Sequence, residues 1–319
     1  MQKEQVEDYY REQYETFYAE YDDEYQASNR GLGTDDRDME EIFLDICEKL
    51  HFTSEDIVLD FGCGSGLMSL KILPQVKKIS CYDGSQSAID KLVSNAPWGS
   101  AINPHVGNFT DPLPYPDGYF SKVVCYSVFH YLGSVDNFNN IIREILRVTQ
   151  HGGVILLGDL VVDKMLHENV REFYNQNVLR YSLTLIKMMK LRLAAKIFYN
   201  WSINSDTDVS GIYDEERGWK PPSLQSLCKK PIKFGCKCLS IIVLMLTQRH
   251  DTMKATKKIK MKTEVLNKIG EIDKFPHFMI DERMLSSIEC NHGITCEQVF
   301  QRPSLPYATD RLDILIRKK

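Results

Sequence analysis

The sequence lacks a hydrophobic run that could cross a membrane. The longest apolar stretch among its 319 residues, 239–246, is interrupted by Ser240, whereas a spanning helix needs about 20 apolar residues. Residues 1–23 are acidic and rich in tyrosine, which is unlike the basic and then apolar pattern of a secretory signal. We therefore expect neither a membrane-spanning segment nor a signal peptide.

Regular cysteine pairing is also absent. The nine cysteines are an odd number at irregular spacing, which favours a reducing compartment and hence a cytoplasmic location. Cys228, Cys236 and Cys238 cluster, yet no second C-x-x-C pair or histidine stands at the spacing of a zinc finger. We predict no metal site.

Basic side chains are scarce in the first half of the chain, although the net charge is only -5. Residues 1–163 carry 12 basic and 27 acidic side chains, residues 164–275 carry 21 and 11, and residues 276–319 carry 6 of each. The basic middle segment predicts either an anionic partner or an internal match for the acidic part. The sequence leaves both open.

A glycine-rich turn follows the first strand pattern. Residues 57–61 are short, largely apolar and β-branched at their start, which is typical of a buried parallel strand. Glycine at 62, 64 and 66 allows a sharp turn and the close approach of a ligand. The spacing Asp60-x-Gly62-x-Gly64-x-Gly66 differs from the G-x-G-x-x-G that holds a pyrophosphate.

This acid-and-glycine loop resembles the first motif of the class I S-adenosylmethionine (SAM)-dependent methyltransferases. The resemblance implies that Asp60 and the loop, including Cys63, face the amino-acid end of SAM, where a carboxylate suits the ammonium. It covers residues 40–163 and 276–319, in which the runs LPYPDGYF, SLPY and RLDILIRK are similar to the family.

Two further strands carry candidate contacts to the nucleoside. The second, expected over residues 78–83, ends in Asp83, followed by Gly84, and an acid there can accept hydrogen bonds from both ribose hydroxyls. The third strand is expected around residues 105–109. Asn108 stands where the family usually has an acid for the adenine amino group, and Phe109 either stacks on the adenine or packs in the core.

The fourth strand, expected over residues 121–128, includes Ser127, a candidate cofactor contact, and leads to His130. Ligands of an open parallel sheet bind at the carboxyl ends of its strands, so the methyl group should be presented here. An imidazole works as a base near neutral pH. His130 is therefore the candidate catalytic base, with Asp159 and Tyr131 behind it, unless it only shapes the pocket.

Aromatic residues recur at helical spacing over residues 1–28. Such a stripe more often packs than does chemistry. The run FYAEYD at 17–22 is nevertheless similar to the N-terminal helix that folds over the cofactor in many small-molecule methyltransferases. The resemblance implies a contact from Tyr18 or Tyr21.

These patterns predict an α/β fold, a Rossmann-like seven-stranded doubly wound sheet with a mostly helical insert between strands 5 and 6. We expect its fifth strand over residues 154–157, after a turn at Gly152 and Gly153. The predicted parts are an N-terminal helical cap (1–38), the SAM-binding core (39–163), a substrate-side insert or lid (164–275) and the C-terminal part of the core sheet (276–319).

The predicted function is methyl transfer from SAM to an oxygen or nitrogen of a small-molecule acceptor, such as a metabolite, a sugar or a lipid-linked intermediate. The basic insert suits an anionic or lipid-linked acceptor and a peripheral membrane contact. The alternatives are a SAM-binding protein without methyl transfer, SAM used for another reaction, and a scaffold whose insert binds a partner. We expect no nucleic acid, because the core is acidic and no N/D-P-P-Y/F tetrad follows the fourth strand.

Overall fold

The computed structural model describes residues 4–20, 36–176, 213–214, 218–219, 277–302, 305 and 311–319. The chain divides into two compact units, Met1–Glu168 with Lys268–Lys319, and Asn169–Asn267. Most of the predicted insert lies outside the described residues, as do Tyr21 and the three clustered cysteines, so those predictions stay predictions.

Strands and helices alternate along most of the described chain. The helices are α1 (Glu4–Glu20), α2 (Asp36–Leu50), α3 (Leu67–Ile72), α4 (Gln86–Asn95), α5 (Val135–Val148), α6 (Lys164–Gln176) and α7 (Glu282–His292). The strands are β1 (Ile57–Phe61), β2 (Lys78–Asp83), β3 (Ile102–Val106), β4 (Phe120–Tyr126), β5 (Thr149–Val161), β6 (Tyr213–Asp214), β7 (Gly218–Trp219), β8 (Thr295–Val299) and β9 (Arg311–Arg317). In the second unit, β6 and β7 pair with each other in an antiparallel ribbon.

The first unit contains a seven-stranded sheet in the order β3-β2-β1-β4-β5-β9-β8. Neighbouring strands among β1 to β5 are parallel, whereas β9 runs antiparallel to both β5 and β8. The predicted Rossmann-like seven-stranded fold is confirmed. The strand order reverses between β1 and β4, and such a switch point opens a crevice at the carboxyl ends of the strands.

Strand β1 lies in the interior of the sheet, and side chains on both of its faces are buried. Val58, Leu59 and Phe61 are at most 1% exposed, and β2 and β4 flank the strand on either side. A parallel strand that is buried on both faces reads as a continuous apolar run. The buried position of β1 fixes where Asp60, the polar residue next to its carboxyl end, can lie.

Three strand predictions were wrong at their boundaries. Strand β4 covers Phe120–Tyr126 instead of residues 121–128, so Ser127 lies just after the strand. Strand β3 covers Ile102–Val106 instead of residues 105–109; among the described strands it pairs only with β2, and an edge position tolerates Pro104. Strand β5 begins at Thr149 and continues through Gly152, where φ is +75°. The register with β4 shifts between Phe120 and Lys122, so a β-bulge absorbs the glycines that suggested a turn.

A buried ion network joins α2 to β9. The Lys49 ammonium donates to Asp45 Oδ2 at 2.5 Å and to Asp313 Oδ2 at 2.7 Å. Asp45 and Asp313 are 1% and 0% exposed. Burial alone would lower the pKa of Lys49, but the two carboxylates raise it above its usual value. Two buried carboxylates therefore share one cation.

Burial raises the pKa of Asp45 from 3.8 to about 6, with Asp313 adding to the effect and Lys49 opposing it. The folded state then holds a proton that the unfolded chain releases near pH 4, so stability falls as the pH rises from about 4 to 6. In the Asp45→Asn variant this loss is absent. We therefore compare the free energy of unfolding of the variant with that of the wild type at each pH. Between pH 4 and pH 7 this difference should shift in favour of the variant by up to about 3 kcal/mol.

Urea unfolding at both pH values measures this difference. The control is Asp90→Asn, a substitution on α4 at a residue that is exposed, and it should change stability by at most about 0.5 kcal/mol. A pH-independent difference for Asp45→Asn would contradict the assignment.

Among the helices that the structure describes, none is both long enough and apolar enough to span a bilayer.

Candidate active site

A cavity of about 700 Å³ lies at the carboxyl ends of the sheet strands. Its walls come from the carboxyl-terminal parts of β1, β2, β4 and β5, from the loops after β1 to β4, from α1, α2 and the start of α3, and from His277, Gln301, Leu305 and Arg311. Thirteen of the residues proposed from the sequence line it: Tyr18, Asp60, Gly62, Cys63, Gly64, Asp83, Gly84, Asn108, Phe109, Ser127, His130, Tyr131 and Asp159. Gly66 precedes α3 with φ at +82° and does not line the cavity.

The glycine loop after β1 is built against β2. The backbone N–H groups of Gly62 and Cys63 donate to the Tyr82 carbonyl at 2.8 and 3.2 Å. Both Gly62 and Gly64 have positive φ, which favours glycine. A Cβ at Gly62 would overlap the Val128 side chain, and one at Gly64 would overlap the Tyr18 hydroxyl. The loop thus needs glycine for both conformation and space.

Asp83 ties the glycine loop to the end of β2. Its carboxylate accepts hydrogen bonds from Gly64 N–H at 2.8 Å and from Ser85 N–H at 2.9 Å. Burial raises the pKa of Asp83, and these backbone donors oppose the rise. Each carboxylate oxygen has a second lone pair. Asp83 can therefore hold the loop and still accept from a ligand diol.

Two polar side chains on the loop side suit a polar ligand. Asp60 is 4% exposed and accepts from the Ser69 hydroxyl. The Ser65 hydroxyl oxygen is buried and lines the cavity, and no residue in the described part of the chain hydrogen-bonds to it. A buried hydroxyl without a partner is costly, so this side of the cavity fits a cofactor with polar groups such as SAM.

Asn108 and Phe109 sit after β3, where an adenine contact was predicted. The Asn108 carbonyl oxygen accepts from the Arg11 guanidinium, and its amide nitrogen donates to Asp111 at 3.1 Å. Phe109 packs 4.9 Å from the Phe61 ring. Arg11 thus already uses the carbonyl oxygen proposed for the adenine amino group, leaving only that oxygen's other lone pair for a ligand.

Two residues in an uncommon backbone conformation meet at this edge of the sheet, Ser127 just after β4 and Asp159 within β5. Ser127 and Asp159 have φ near +60°, which is uncommon for residues other than glycine. The Ser127 hydroxyl donates to Asp159 Oδ2 at 2.5 Å, and Asp159 N–H donates to Asp313 Oδ1 at 2.8 Å. Backbone strain of this kind concentrates at functional sites.

His130 lies in a single 3-10 turn that follows β4, Phe129–Tyr131. Its side chain is 6% exposed and lines the cavity. The ring centroid is 4.6 Å from that of Tyr131 and 5.6 Å from that of His277. The histidine that was proposed as a base therefore faces the same cavity as the glycine loop.

Helix α1 is held to three of the site loops by polar contacts. Glu15 accepts from the hydroxyls of Ser85 and Ser87 at 2.7 and 2.6 Å. Burial raises the pKa of Glu15, but these hydrogen bonds outweigh it and lower the pKa. Arg11 reaches the β3 loop, and Glu7 accepts from Gly133 N–H at 2.7 Å.

The tyrosines of α1 were proposed as site residues from the sequence, but these charged residues of the same helix were not. Glu7, Arg11 and Glu15 are spaced by four, so they share one face of the helix, and that periodicity was the available signal. His277, Gln301 and Arg311 also line the cavity and were missed. They carry no local motif, and only the folded chain brings them to the site.

A family model described as a methyltransferase domain matches residues 59–157. This match covers β1 to β5 and the loops that carry Asp60, Asp83, Asn108 and His130.

Among curated proteins, a probable cobalt-precorrin-6B C(15)-methyltransferase (decarboxylating) of Methanococcus vannielii is 46% identical over 56 residues, or 18% of this chain and 31% of that protein. An uncharacterized methyltransferase of Staphylococcus carnosus is 24% identical over 161 residues, or 50% of this chain and 74% of that protein. The chain spans less than a third of the first three curated relatives that it matches.

Among solved structures, phosphoethanolamine N-methyltransferase 1 of Haemonchus contortus, in complex with phosphoethanolamine and S-adenosylhomocysteine, is 16% identical. The superposition has a TM-score of 0.44 and covers 51% of this chain and 34% of that one.

The family match lies on the strands and loops that form the cavity, and the sheet has the order β3-β2-β1-β4-β5-β9-β8. The chain therefore contains a class I SAM-dependent methyltransferase domain.

Proposed function

We propose that the protein transfers a methyl group from SAM to an oxygen or nitrogen of a small-molecule acceptor. The observation that carries the proposal is the shared cavity, which has the glycine loop and Asp83 on one side and His130 on the other. Its volume of about 700 Å³ lies in the ordinary range for ligand pockets, roughly 300–1,000 Å³. A donor and an acceptor can thus meet in one enclosed space.

The residues of the glycine side would bind the cofactor by its separate parts. Asp60 and the loop would hold the amino-acid end, and Asp83 would accept from the ribose hydroxyls. Phe109 and Asn108 would border the adenine. SAM supplies an electrophilic methyl group on a sulfonium, whose sulfur keeps the electron pair of the broken C–S bond.

On the other side, the protein would position the acceptor and receive its proton. Positioning alone can supply much of the acceleration of a bimolecular transfer, so no covalent nucleophile is required. His130 is the proposed base for a hydroxyl acceptor, because Asp159 is already engaged by Ser127 and Arg311. The hydroxyl of Tyr131 accepts a hydrogen bond from the Tyr14 hydroxyl at 2.5 Å. Tyr131 is therefore also less available as a base than His130.

Calorimetric titration with SAM, S-adenosylhomocysteine and NAD tests the cofactor. We expect micromolar binding of the first two and no heat with NAD. Methyl-labelled SAM incubated with panels of small alcohols and amines then tests transfer. Absence of SAM binding would overturn the proposal, whereas binding without label transfer to any member of the two panels would favour a SAM-binding protein without methyl transfer.

The location of the protein and the role of residues 164–275 stay predictions. We propose a cytoplasmic protein whose basic insert serves the substrate side or contacts a membrane surface.

A further inference from the structure

We propose that the acceptor carries a cationic amine, which binds between the Glu7 carboxylate and the rings of Tyr10, Tyr14 and Tyr131. These four residues are called the cation subsite below. The inference rests on the proposed function, since it assigns a substrate class to the acceptor side of the same cavity.

The three tyrosines present ring faces in different directions. The Tyr10 and Tyr131 centroids are 4.9 Å apart with an interplanar angle of 54°, and those of Tyr14 and Tyr131 are 5.2 Å apart with an angle of 69°. All three line the cavity. The face of an aromatic ring attracts a cation within about 6 Å of its centroid. Because the three centroids lie so close together, one ammonium group at this part of the cavity wall can come within that distance of more than one ring.

Glu7 supplies a negative charge to the same cavity, on the face of α1 that also carries Tyr10 and Tyr14, three and seven residues further along. Its Oε1 accepts from Gly133 N–H at 2.7 Å and from the Asn137 amide at 2.5 Å. Its Oε2 is buried, and none of the residues that the structure describes hydrogen-bonds to it. A buried carboxylate oxygen without a donor is costly. An ammonium group would provide both the missing donor and the opposite charge.

The acidic end of the cation subsite lies away from the glycine loop, whereas the Tyr14 ring at its other end lies 6.3 Å from the Tyr18 ring. Glu7 is anchored to Gly133 and Asn137, which follow β4, whereas the glycine loop, Asp83 and Asn108 belong to β1, β2 and β3 or the loops after them. Tyr131 is likewise adjacent to His130, the proposed base. The subsite is therefore on the side where the acceptor would bind.

The charges of the cavity wall agree with a cationic acceptor. The described lining includes five carboxylates and two guanidinium groups. Arg11 is paired with Asp8 at 2.9 Å and Arg311 with Asp159 at 3.7 Å, so neither guanidinium offsets Glu7. An anionic acceptor, which the basic insert suggested, would meet a negative wall here.

The competing explanation is that Glu7 only docks α1 onto the start of α5. The substitution Glu7→Gln separates the two roles, because the carbonyl oxygen of glutamine can still accept from Gly133 and Asn137. Docking would be kept, and the charge would be lost.

The test compares n-butylammonium with 1-butanol by ligand-detected NMR on protein saturated with S-adenosylhomocysteine at pH 7. The two probes have the same length and both donate a hydrogen bond, but only one is charged. We expect the wild type to bind butylammonium about tenfold more tightly than butanol. Glu7→Gln should reduce that ratio to about twofold or less, and Glu12→Gln, at an exposed position on the same helix, should leave it unchanged.

Equal binding of both probes by the wild type would overturn the cation subsite. An equal loss of both probes in Glu7→Gln, with the ratio preserved, would show that Glu7 only docks the helix and would also overturn it. Failure of S-adenosylhomocysteine to saturate the wild type is a different result, which refutes the proposed function itself.

Discussion

Replacing Lys49 with methionine is expected to lower the free energy of unfolding by about 3–5 kcal/mol. The substitution removes the cation that Asp45 and Asp313 share and leaves two carboxylates in a site with almost no solvent contact. Removing one partner of a buried ion pair is far more harmful than replacing the whole group by apolar residues, because an uncompensated charge stays behind. Urea unfolding at pH 7.5 measures the effect.

Two further variants separate this explanation from a simple loss of packing. Lys71→Met breaks an exposed ion pair with Glu40 and should change stability by at most about 1 kcal/mol. Adding Asp45→Asn to Lys49→Met removes one of the two stranded charges and should recover part of the loss. If Lys49→Met unfolds within 1 kcal/mol of the wild type, or if the second change gives no recovery, the network does not act as described.

The ion network of Asp45, Lys49 and Asp313 also stabilises the cavity wall, although none of its three residues is among those assigned to SAM. Asp313 Oδ1 accepts from Asp159 N–H at 2.8 Å and from the Gln301 amide at 2.9 Å. Asp159 in turn holds the Ser127 hydroxyl, and both of these residues have positive φ. A strained backbone persists where its surroundings over-determine it, so we infer that the buried ions help to keep the end of β4 in its observed conformation.

The parts of the fold that the sequence predicted well depend on local patterns. Strands β1 and β2 are short apolar runs that end next to glycine, and their boundaries were predicted as Ile57–Phe61 and Lys78–Asp83. Asp60 and Asp83 could be assigned to one site because parallel strands bring their carboxyl ends to the same edge. Strand, turn and helix each left a signal within a few residues.

The parts that were missed depend on contacts between distant positions. Glu7 meets Gly133 across 126 residues of sequence, and Lys49 meets Asp313 across 264. No local pattern encodes such a pair, since Glu7, Lys49 and Asp313 each resemble an ordinary surface charge when the sequence around them is considered alone. The bulge in β5 was missed for a related reason: Gly152 with Gly153 is a normal turn signal, and only pairing with neighbouring strands makes the segment continuous.

Replacing Asp83 with alanine is expected to weaken the binding of S-adenosylhomocysteine by about 100-fold or more. A hydrogen bond to a charged group contributes about 1.5–3 kcal/mol, and Asp83 is proposed to accept from two ribose hydroxyls. The substitution also releases Gly64 N–H and Ser85 N–H, which loosens the glycine loop. Calorimetry gives the affinity, and Asp90→Ala on α4 is the control that should bind like the wild type.

A ligand lacking the hydroxyl separates contact with the ribose from support of the loop. The 2′-deoxy analogue of S-adenosylhomocysteine removes one proposed partner of Asp83, so the wild type should bind it more weakly than the parent ligand. If Asp83 accepts from that hydroxyl, Asp83→Ala should bind the parent and the analogue nearly equally. If it only supports the loop, the variant should keep the full preference for the parent while losing affinity for both. The ratio between the two ligands therefore reports on the carboxylate itself, even where the substitution disturbs the loop around it.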